Sequence, residues 1–281
     1  MAFHDTQYLA LGKKILEEGT KKQNRTGIPT TSIFGTELRF NLRDGTIPLL
    51  TTKKMHWPSI VHELLWYFSG STNVKYLQDN GVRIWNEWAN AEGDLGPLYG
   101  KMLRDWDGVD QLQELISTMK ADPDSRRMVV SYWNPSVLPD SSISPKDNPS
   151  KGLQALAPCH FTWQVYTFEE AGVRRASLKL TQRSADYFLG VPYNISQYSI
   201  ILRILCHLTG MQPGEFIWSG GDTHIYENHE EQLITQLSRD PFESPTLTIS
   251  ERVTSVDDIS FGDLTLSEFQ SHAQLKGTVA V

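Results

Sequence analysis

The run Gln-Arg-Ser-Ala-Asp-Tyr-Phe-Leu-Gly-Val-Pro-Tyr-Asn (182–194) leads into Ile-Ser-Gln-Tyr-Ser-Ile-Ile-Leu-Arg-Ile-Leu-Cys-His-Leu (195–208), and the architecture follows from how this segment folds. Its second half is long and apolar, which predicts a buried helix over 194–210. Segments rich in β-forming residues stand on either side, at 176–180 and 215–218. A strand, a long apolar helix and another strand in succession indicate a sheet covered by helices.

The rest of the chain also alternates between helical and extended patterns. Apolar spacing predicts helices at 8–18, 57–68, 111–119 and 228–237, and strands at 31–42, 128–133 and 160–168. Their irregular order predicts an α/β or α+β fold with a mixed β-sheet flanked by helices. Because no repeat or clear linker divides the chain, we expect one domain over 1–281. The run 135–152 is rich in proline and serine, which predicts a surface loop insertion.

Composition narrows the class of protein. The chain has 281 residues, a net charge of −7 and no basic excess, which argues against a nucleic-acid polymer as partner. No apolar run approaches the roughly 18 residues that span a membrane. Two cysteines cannot build a disulfide framework, and no metal-ligand spacing occurs, so we expect no metal. These features predict a cytoplasmic protein, including the cytoplasm of a host cell if the gene is viral.

Cys159 is the first candidate for chemistry. It lies in Ala-Pro-Cys-His (157–160), where a predicted strand begins. A free cysteine is usually a small buried apolar residue, as we expect for Cys206 inside the long helix. A thiol becomes a nucleophile when nearby cations favour its thiolate. Cations are available for Cys159 from arginines elsewhere in the chain, namely Arg126, Arg127 and Arg183.

Glu63 is the second candidate. The run His-Glu-Leu-Leu-Trp (62–66) resembles a zinc protease helix, but Trp66 stands where the second histidine ligand is needed. What remains is a glutamate in an apolar helix. A buried carboxyl has a raised pKa and can shuttle protons, whereas a solvent-facing one has no such role. We favour the buried alternative.

Three other groups of polar residues have both a structural and a functional interpretation. Arg126 and Arg127 are either solvated or bind a phosphate with two hydrogen bonds each. His224 and Tyr226 alternate along an extended segment, which suits hydrogen bonds to a sugar or a turn with structural polar residues. Asn194 is either the N-cap of the long helix or a carboxamide whose donor and acceptor match O4 and N3–H of uracil.

In combination these motifs resemble the thymidylate synthase family over nearly the whole chain. The order and number of the matching segments make the resemblance specific. The matching segments are 24–27, 32–35, 49–54, 62–66, 84–85, 93–100, 122–127, 157–160, 182–194, 220–226 and the terminal Val-Ala-Val (279–281).

The resemblance implies a reaction and a set of catalytic residues. In such an enzyme the counterpart of Cys159 attacks C6 of dUMP, and C5 then accepts a one-carbon unit from the co-substrate 5,10-methylenetetrahydrofolate. Hydrogen bonds to the developing charge on O4 matter most in the transition state. The family's catalytic positions correspond here to Cys159, Glu63, Tyr99, Asn194 and Asp186.

The resemblance also implies binding residues and a homodimer. Phosphate contacts match Arg25, Arg183 and Ser184, ribose contacts match His224 and Tyr226, and Arg126 and Arg127 match arginines supplied across the dimer interface. Folate contacts match Lys53, Lys54, Ile84, Trp85, Leu156, Asp186, Gly190, Tyr193 and Val281.

Two outcomes of the final step are compatible with these motifs. A synthase ends by hydride transfer, giving dTMP and dihydrofolate, whereas a dUMP hydroxymethylase lets water add and releases tetrahydrofolate. Trp85 and the Val-Ala-Val end favour the synthase. Departures from the family pattern favour the alternative, above all Tyr193 in place of phenylalanine and Gln197 in place of serine, because both could hold a water. A family member that only binds nucleotide or RNA is disfavoured by the intact catalytic positions.

Overall fold

A mixed six-stranded sheet forms the centre of the computed structural model, which describes residues 3–279. The strands of this sheet follow the order β1-β2-β6-β5-β4-β3, and a separate hairpin is formed by β7 and β8. The strands are β1 Thr20–Lys22, β2 Thr30–Asn41, β3 Val129–Ser131, β4 His160–Glu170, β5 Val173–Asp186, β6 Gln212–Tyr226, β7 Leu247–Ile249 and β8 Leu264–Leu266. The helices are α1 Asp5–Glu18, α2 Trp57–Phe68, α3 Lys75–Asp79, α4 Tyr99–Arg104, α5 Gln111–Ala121, α6 Gly190–Thr209 and α7 Glu230–Leu237.

The parallel pair β5 and β6 makes the sheet mixed. All other neighbouring strands are antiparallel, whereas α6 crosses from the end of β5 to the start of β6. A parallel pair needs such a crossover because a tight turn cannot return the chain in the same direction. The predicted α/β class with a mixed sheet and flanking helices is therefore confirmed.

Helix α6 packs against the sheet and is apolar for that reason. Ile200, Leu202, Ile204 and their neighbours are almost fully buried in the core, and the helix contacts β5 and β6. Burial of each such side chain stabilises the fold by about 1.5–3 kcal/mol. The helix ends at Gly210, whose φ of 71° is the left-handed conformation that glycine adopts at low cost. Leu202→Ala would leave a cavity and destabilise the fold by about 2–5 kcal/mol.

The largest differences between predicted and observed boundaries have identifiable reasons. The crossover helix begins at Gly190, four residues before the predicted start, because Pro192 sits in the first turn, where a missing N–H leaves no hydrogen bond unmade. The N-cap interpretation of Asn194 is therefore wrong, since Asn194 lies inside the helix. Strands β5 and β6 extend far beyond 176–180 and 215–218 because their pairing continues to Asp186 opposite His224.

The run 135–152 folds back on itself through Asn148. The side chain of Asn148 is buried, and its Oδ1 accepts a hydrogen bond from the backbone N–H of Asp140 at 2.8 Å. Two short 3₁₀ turns flank it, at Pro145–Asp147 and Pro149–Lys151. Much of the run is exposed, as expected of a loop, but part of it faces the cavity described next.

Candidate active site

The cavity opens at the carboxyl ends of the parallel strands β5 and β6, beside the first turns of α6. Its volume is about 670 Å³. Ligands in sheets of this kind bind outside the carboxyl ends of the strands, because the loops diverge there. Strand β4 begins at the same edge, so the segment that carries Cys159 also borders the cavity.

Fourteen of the twenty residues singled out from the sequence line this cavity. They come from segments far apart in the chain, which the sheet and α6 bring together. They are Arg25, Glu63, Ile84, Trp85, Tyr99, Leu156, Cys159, Arg183, Ser184, Asp186, Gly190, Asn194, His224 and Tyr226.

The remaining six lie elsewhere or outside the described residues. Arg126 and Arg127 are exposed and do not line the cavity of their own chain. Lys53 is buried, with its Nζ donating to the backbone oxygen of Phe188 and lying 3.8 Å from the centre of that ring. Lys54 is exposed and Tyr193 is half-buried on α6, both outside the cavity lining. The predicted folate contact at Val281 falls outside residues 3–279.

Lys53 has an unusual environment for a lysine. Burial lowers its pKa to about 7, and the charge of Asp186 opposes that shift. Removing the ammonium from water disfavours its charged form, while the Phe188 ring and carbonyl favour it. In this conformation Lys53 supports the turn after β5, and its ammonium does not reach the cavity.

The backbone on both sides of Cys159 is held by hydrogen bonds. The N–H of Cys159 donates to Oη of Tyr99 at 2.9 Å, and its carbonyl accepts from the N–H of Arg183 at the same distance. The Tyr99 ring also stacks on His160, with 4.1 Å between the ring centres. The backbone that carries the thiol therefore has a fixed position just before β4.

Burial and nearby charged side chains together set the pKa of the Cys159 thiol. Burial raises the pKa of its thiol, the charges of Arg183 and Arg25 lower it, and Asp186 raises it. The guanidinium of Arg183 donates to the carbonyls of Pro158 and Ala157 at 2.9 and 2.8 Å. It thus binds the segment that carries the thiol and supplies positive charge next to it.

Glu63 is buried, as the sequence analysis favoured. Its Oε1 accepts from Oη of Tyr67 at 3.0 Å and from Nε1 of Trp85 at 2.7 Å, and its Oε2 accepts from Nε2 of Gln197 at 3.0 Å. Desolvation raises the pKa of Glu63, and the three donors oppose that effect. The carboxyl can therefore gain and lose a proton nearer to neutral pH than an exposed glutamate.

Asn194 is oriented by a chain of hydrogen bonds that begins in the core. Nε1 of Trp218 donates to Oε1 of Gln182 at 2.9 Å, and Nε2 of Gln182 donates to Oδ1 of Asn194 at 3.1 Å. This contact identifies the oxygen of the Asn194 carboxamide and directs its Nδ2 donors elsewhere. Gln182 was quoted in the sequence run but was not recognised as a functional residue.

Asp186 and His224 face each other at the ends of β5 and β6. They are paired in the sheet register, and Oδ1 of Asp186 accepts the N–H groups of Phe188 and Leu189 at 3.1 and 3.0 Å. These bonds hold the Asp186 carboxylate at the turn that leads into α6. His224 and Tyr226 contact each other edge to face, with 5.2 Å between ring centres, as their spacing along one strand predicts.

Apolar side chains form another part of the wall. Ile84, Trp85 and Leu156 line the cavity, together with Trp88, which the sequence analysis missed. Tyr67 was also missed, although its spacing of four residues from Glu63 places both on one face of α2. That spacing was the available signal for Tyr67.

Two other kinds of feature are absent from residues 3–279. No group of three or more His, Cys, Asp or Glu in that range is arranged to hold a metal ion. None of the helices in the same range is both long and apolar enough to cross a membrane.

Comparison with known proteins gives a consistent result. A profile of the family described as Thymidylate synthase matches residues 6–281. A protein named Thymidylate synthase from Francisella philomiragia subsp. philomiragia is 52% identical over 277 residues, covering 98% of this chain and 99% of that protein. A protein of the same name from Francisella tularensis subsp. holarctica strain LVS is 49% identical with the same coverage.

Proposed function

The chain belongs to the thymidylate synthase family, and from that premise we propose that it methylates dUMP to dTMP through a covalent bond between Cys159 and C6. It is an enzyme, a one-carbon transferase. The one-carbon donor is 5,10-methylenetetrahydrofolate, which leaves as dihydrofolate. The observation that carries the proposal is the meeting of Cys159, Arg183, Asn194 and Glu63 in one cavity.

The covalent step accounts for the placement of Cys159. Its thiolate adds to C6 of the uracil ring, and the electron pair of the C5–C6 bond moves towards C5 and O4. Burial raises the pKa of the thiol, and the charges of Arg183 and Arg25 partly offset that effect in favour of the thiolate. C5 then bonds to the methylene carbon of the folate, and it can do so only while the sulfur remains on C6.

Asn194 supports recognition of uracil. With Oδ1 already accepting from Gln182, the Nδ2 group has donors for O4, and the second lone pair of Oδ1 can accept N3–H. Cytosine presents the reverse pattern at these two positions. Negative charge that develops on O4 strengthens the bond from Nδ2, so Asn194 stabilises the transition state more than the bound substrate.

Glu63 and Tyr99 support the proton transfers. The proton on C5 must leave, and the C–N bond to the folate must break, to form an exocyclic methylene. Hydride from tetrahydrofolate then reduces that methylene, and Sγ of Cys159 departs from C6 with its electron pair. Glu63 and Tyr99 line the same cavity as Cys159; the pKa of Glu63 is raised, and Tyr99 bonds to the backbone of Cys159, so both groups are candidates for these transfers.

Binding roles for the remaining lining residues follow from their chemistry. We assign the dUMP phosphate to Arg25, Arg183 and Ser184, and the ribose to His224 and Tyr226. The flat wall of Trp85, Ile84 and Leu156, with Gly190 and the acceptor Asp186, fits a planar pterin ring that carries N–H donors. Lys53, Lys54, Tyr193 and Val281 stay assigned to the folate, and Lys53 would have to leave its contact with Phe188 to reach the glutamate tail.

A homodimer accounts for two further observations. Arg126 and Arg127 are exposed and lie outside their own cavity. Close by, Val129 and Tyr166 are 48% and 65% exposed, on the sheet face opposite the buried Trp163 that contacts α6. Exposed apolar residues on a sheet face indicate an interaction surface. We propose that a second copy covers this face and that each copy supplies its arginines to the partner's phosphate site.

A mixing experiment tests the shared site. Cys159→Ala and the double variant Arg126→Ala, Arg127→Ala are each expected to be inactive alone. Coexpressed, they form hybrid dimers with one intact cavity, so activity should return to roughly a quarter of the unmodified level if the copies pair at random. No recovery, with dimers present by sedimentation, would contradict the proposal that arginines cross the interface.

The product decides the reaction itself. Protein, dUMP and methylenetetrahydrofolate are incubated, dihydrofolate is followed by its absorbance, and the nucleotide is weighed by mass spectrometry. A methyl nucleotide formed together with dihydrofolate supports the synthase. A hydroxymethyl nucleotide with tetrahydrofolate would instead identify a dUMP hydroxymethylase. The alternative reaction needs a bound water. Nε2 of Gln197 already donates a hydrogen bond to Glu63, so this nitrogen is not free to hold that water.

Domain extent and location complete the proposal. We assign 1–281 to one catalytic domain, since the residues that line the cavity come from segments spread between Lys22 and Val279. Cys159 and Cys206 are free thiols, as in proteins of reducing compartments, which supports a cytoplasmic enzyme.

A further inference from the structure

Gln197 is a buried amide on α6 whose contacts converge on Glu63. It is fully buried, and its Nε2 donates to Oε2 of Glu63 at 3.0 Å and lies 3.4 Å from the backbone oxygen of Ile60. Its Oε1 has no hydrogen-bond partner among the residues that the structure describes. A buried acceptor without a partner is unfavourable, so packing does not explain the amide.

The two oxygens of the Glu63 carboxylate have different partners. Oε1 is occupied by two donors, Tyr67 and Trp85, whereas Gln197 is the donor found on Oε2 within the described residues. Oε2 is therefore the oxygen with room for a proton. An amide can serve that oxygen in both states, since Nε2 donates to the anion and, after a half-turn of the amide, Oε1 accepts from the protonated oxygen.

We infer that Gln197 is a positioning residue for proton transfer by Glu63. It fixes the carboxyl against α6 and gives Oε2 a hydrogen-bond partner whether that oxygen is bare or protonated. This inference rests on the proposed function, in which Glu63 exchanges a proton during turnover. Gln197 itself does not line the cavity, so it acts through Glu63.

The titratable groups around Glu63 do not titrate near neutral pH, so they do not obscure the titration of Glu63. Tyr67 on α2, Tyr99 on α4, and Tyr193 and Tyr198 on α6 all have a pKa raised above the usual 10.0 by burial. At the start of β4, burial lowers the pKa of His160 to about 3, and in the preceding residue it raises the pKa of the Cys159 thiol above 9.0. The charge on each of these groups therefore does not change between pH 5 and 8. Arg25, Arg183 and Asp186 line the same cavity and act on Cys159.

Gln197→Met tests the inference because methionine keeps the length of the side chain and removes both hydrogen-bonding atoms. Loss of a donor to the carboxylate raises the pKa of Glu63, so the acidic limb of kcat against pH should move up by about one pH unit. Gln197→Glu places a second carboxyl beside Glu63 and should move it further in the same direction.

Gln236→Met is the matched control. Gln236 is also fully buried, has an Oε1 without a partner among the described residues, and donates through Nε2 to Thr52 instead of to a cavity residue. Because the dUMP phosphate also titrates near pH 6, the shift is measured against this control. Gln236→Met should lower stability to urea about as much as Gln197→Met, with a kcat profile like that of the unmodified enzyme.

The outcomes separate the inference from the proposed function. If Gln197→Met folds, turns over and has the same acidic limb as Gln236→Met, Gln197 is only a packing residue and the inference is wrong. If Gln197→Met is too unstable to assay, Gln197→Glu must still show the upward shift, and an unshifted limb contradicts the inference. If the unmodified enzyme makes no dTMP, the proposed function fails instead.

Discussion

Two cysteines lie about 50 residues apart in the chain, and their surroundings give them different chemistry. Burial raises the pKa of both thiols, but that of Cys206, inside α6, rises to about 12. At Cys159 the charges of Arg183 and Arg25 oppose burial, and the thiol faces a cavity. Arg203 also lies near Cys206, yet its own charge is disfavoured by burial. The difference teaches that a cavity and nearby counter-charges, more than burial, separate the proposed nucleophile from a core residue.

Removal of each thiol in turn should give the largest difference in turnover between the two cysteines. Cys159→Ala is expected to lower turnover about 10⁴-fold or more, because no other group can bond to C6. Cys206→Ala should leave kcat within about threefold and lower the free energy of unfolding by about 0.5–3 kcal/mol. Dihydrofolate absorbance and urea denaturation measure both effects. Retained turnover in a folded Cys159→Ala variant would refute covalent catalysis.

The histidine next to Cys159 should make stability depend on pH. Its folded pKa is about 3 against 6.5 for an exposed histidine, so below pH 6.5 the unfolded chain binds a proton that the folded chain does not. This contribution to stability is complete above pH 6.5 and is lost as pH falls towards 3. At pH 5 the loss is about 2 kcal/mol.

Urea denaturation at pH 8 and pH 5 measures that loss. His160→Gln removes the titrating ring, so its free energy of unfolding should fall by about 2 kcal/mol less between the two pH values than that of the unmodified protein. If the free energy of unfolding falls equally in the two proteins, His160 takes up a proton in the folded state as readily as in the unfolded chain, and the prediction is wrong.

Removing the arginine beside each cysteine should have the smallest effect on the difference between the two cysteines. Arg183→Gln removes a cation beside Cys159 and should raise the pKa of that thiol further, which slows alkylation by iodoacetamide about tenfold at pH 7.5. Arg203→Gln, beside Cys206, should leave the alkylation rate of Cys159 unchanged. Cys206 should react only after unfolding. Equal rates for Cys159 in both variants would mean that Arg183 does not favour the thiolate.

The sequence alone was sufficient for the elements that apolar spacing defines. The predicted bounds of α2 match the structure because Pro58 and Gly70 bracket a uniformly apolar run. Cys206 was correctly assigned to the core. The family was recognised from motifs, and fourteen of the residues matched to those motifs line one cavity.

Several features of the fold and the site could not be predicted from the sequence because they depend on contacts between distant segments. The polar ends of β5 and β6 become strands through their mutual pairing, which no local pattern reports. The role of Gln182 depends on Trp218 on one side and Asn194 on the other. The sequence suggested that Gln197 could hold a water in the alternative reaction, but it did not indicate that the amide contacts Glu63, a residue 134 positions earlier in the chain.

The most direct test of the account is the position of the covalent bond. The protein is incubated with methylenetetrahydrofolate and 5-fluoro-dUMP, in which fluorine at C5 cannot leave as a cation, so the bond from sulfur to C6 should persist. Peptide mass spectrometry should then find nucleotide and folate together on Cys159 and none on Cys206. Nucleotide on Cys206, or turnover of dUMP without a nucleotide adduct on Cys159, would contradict the account.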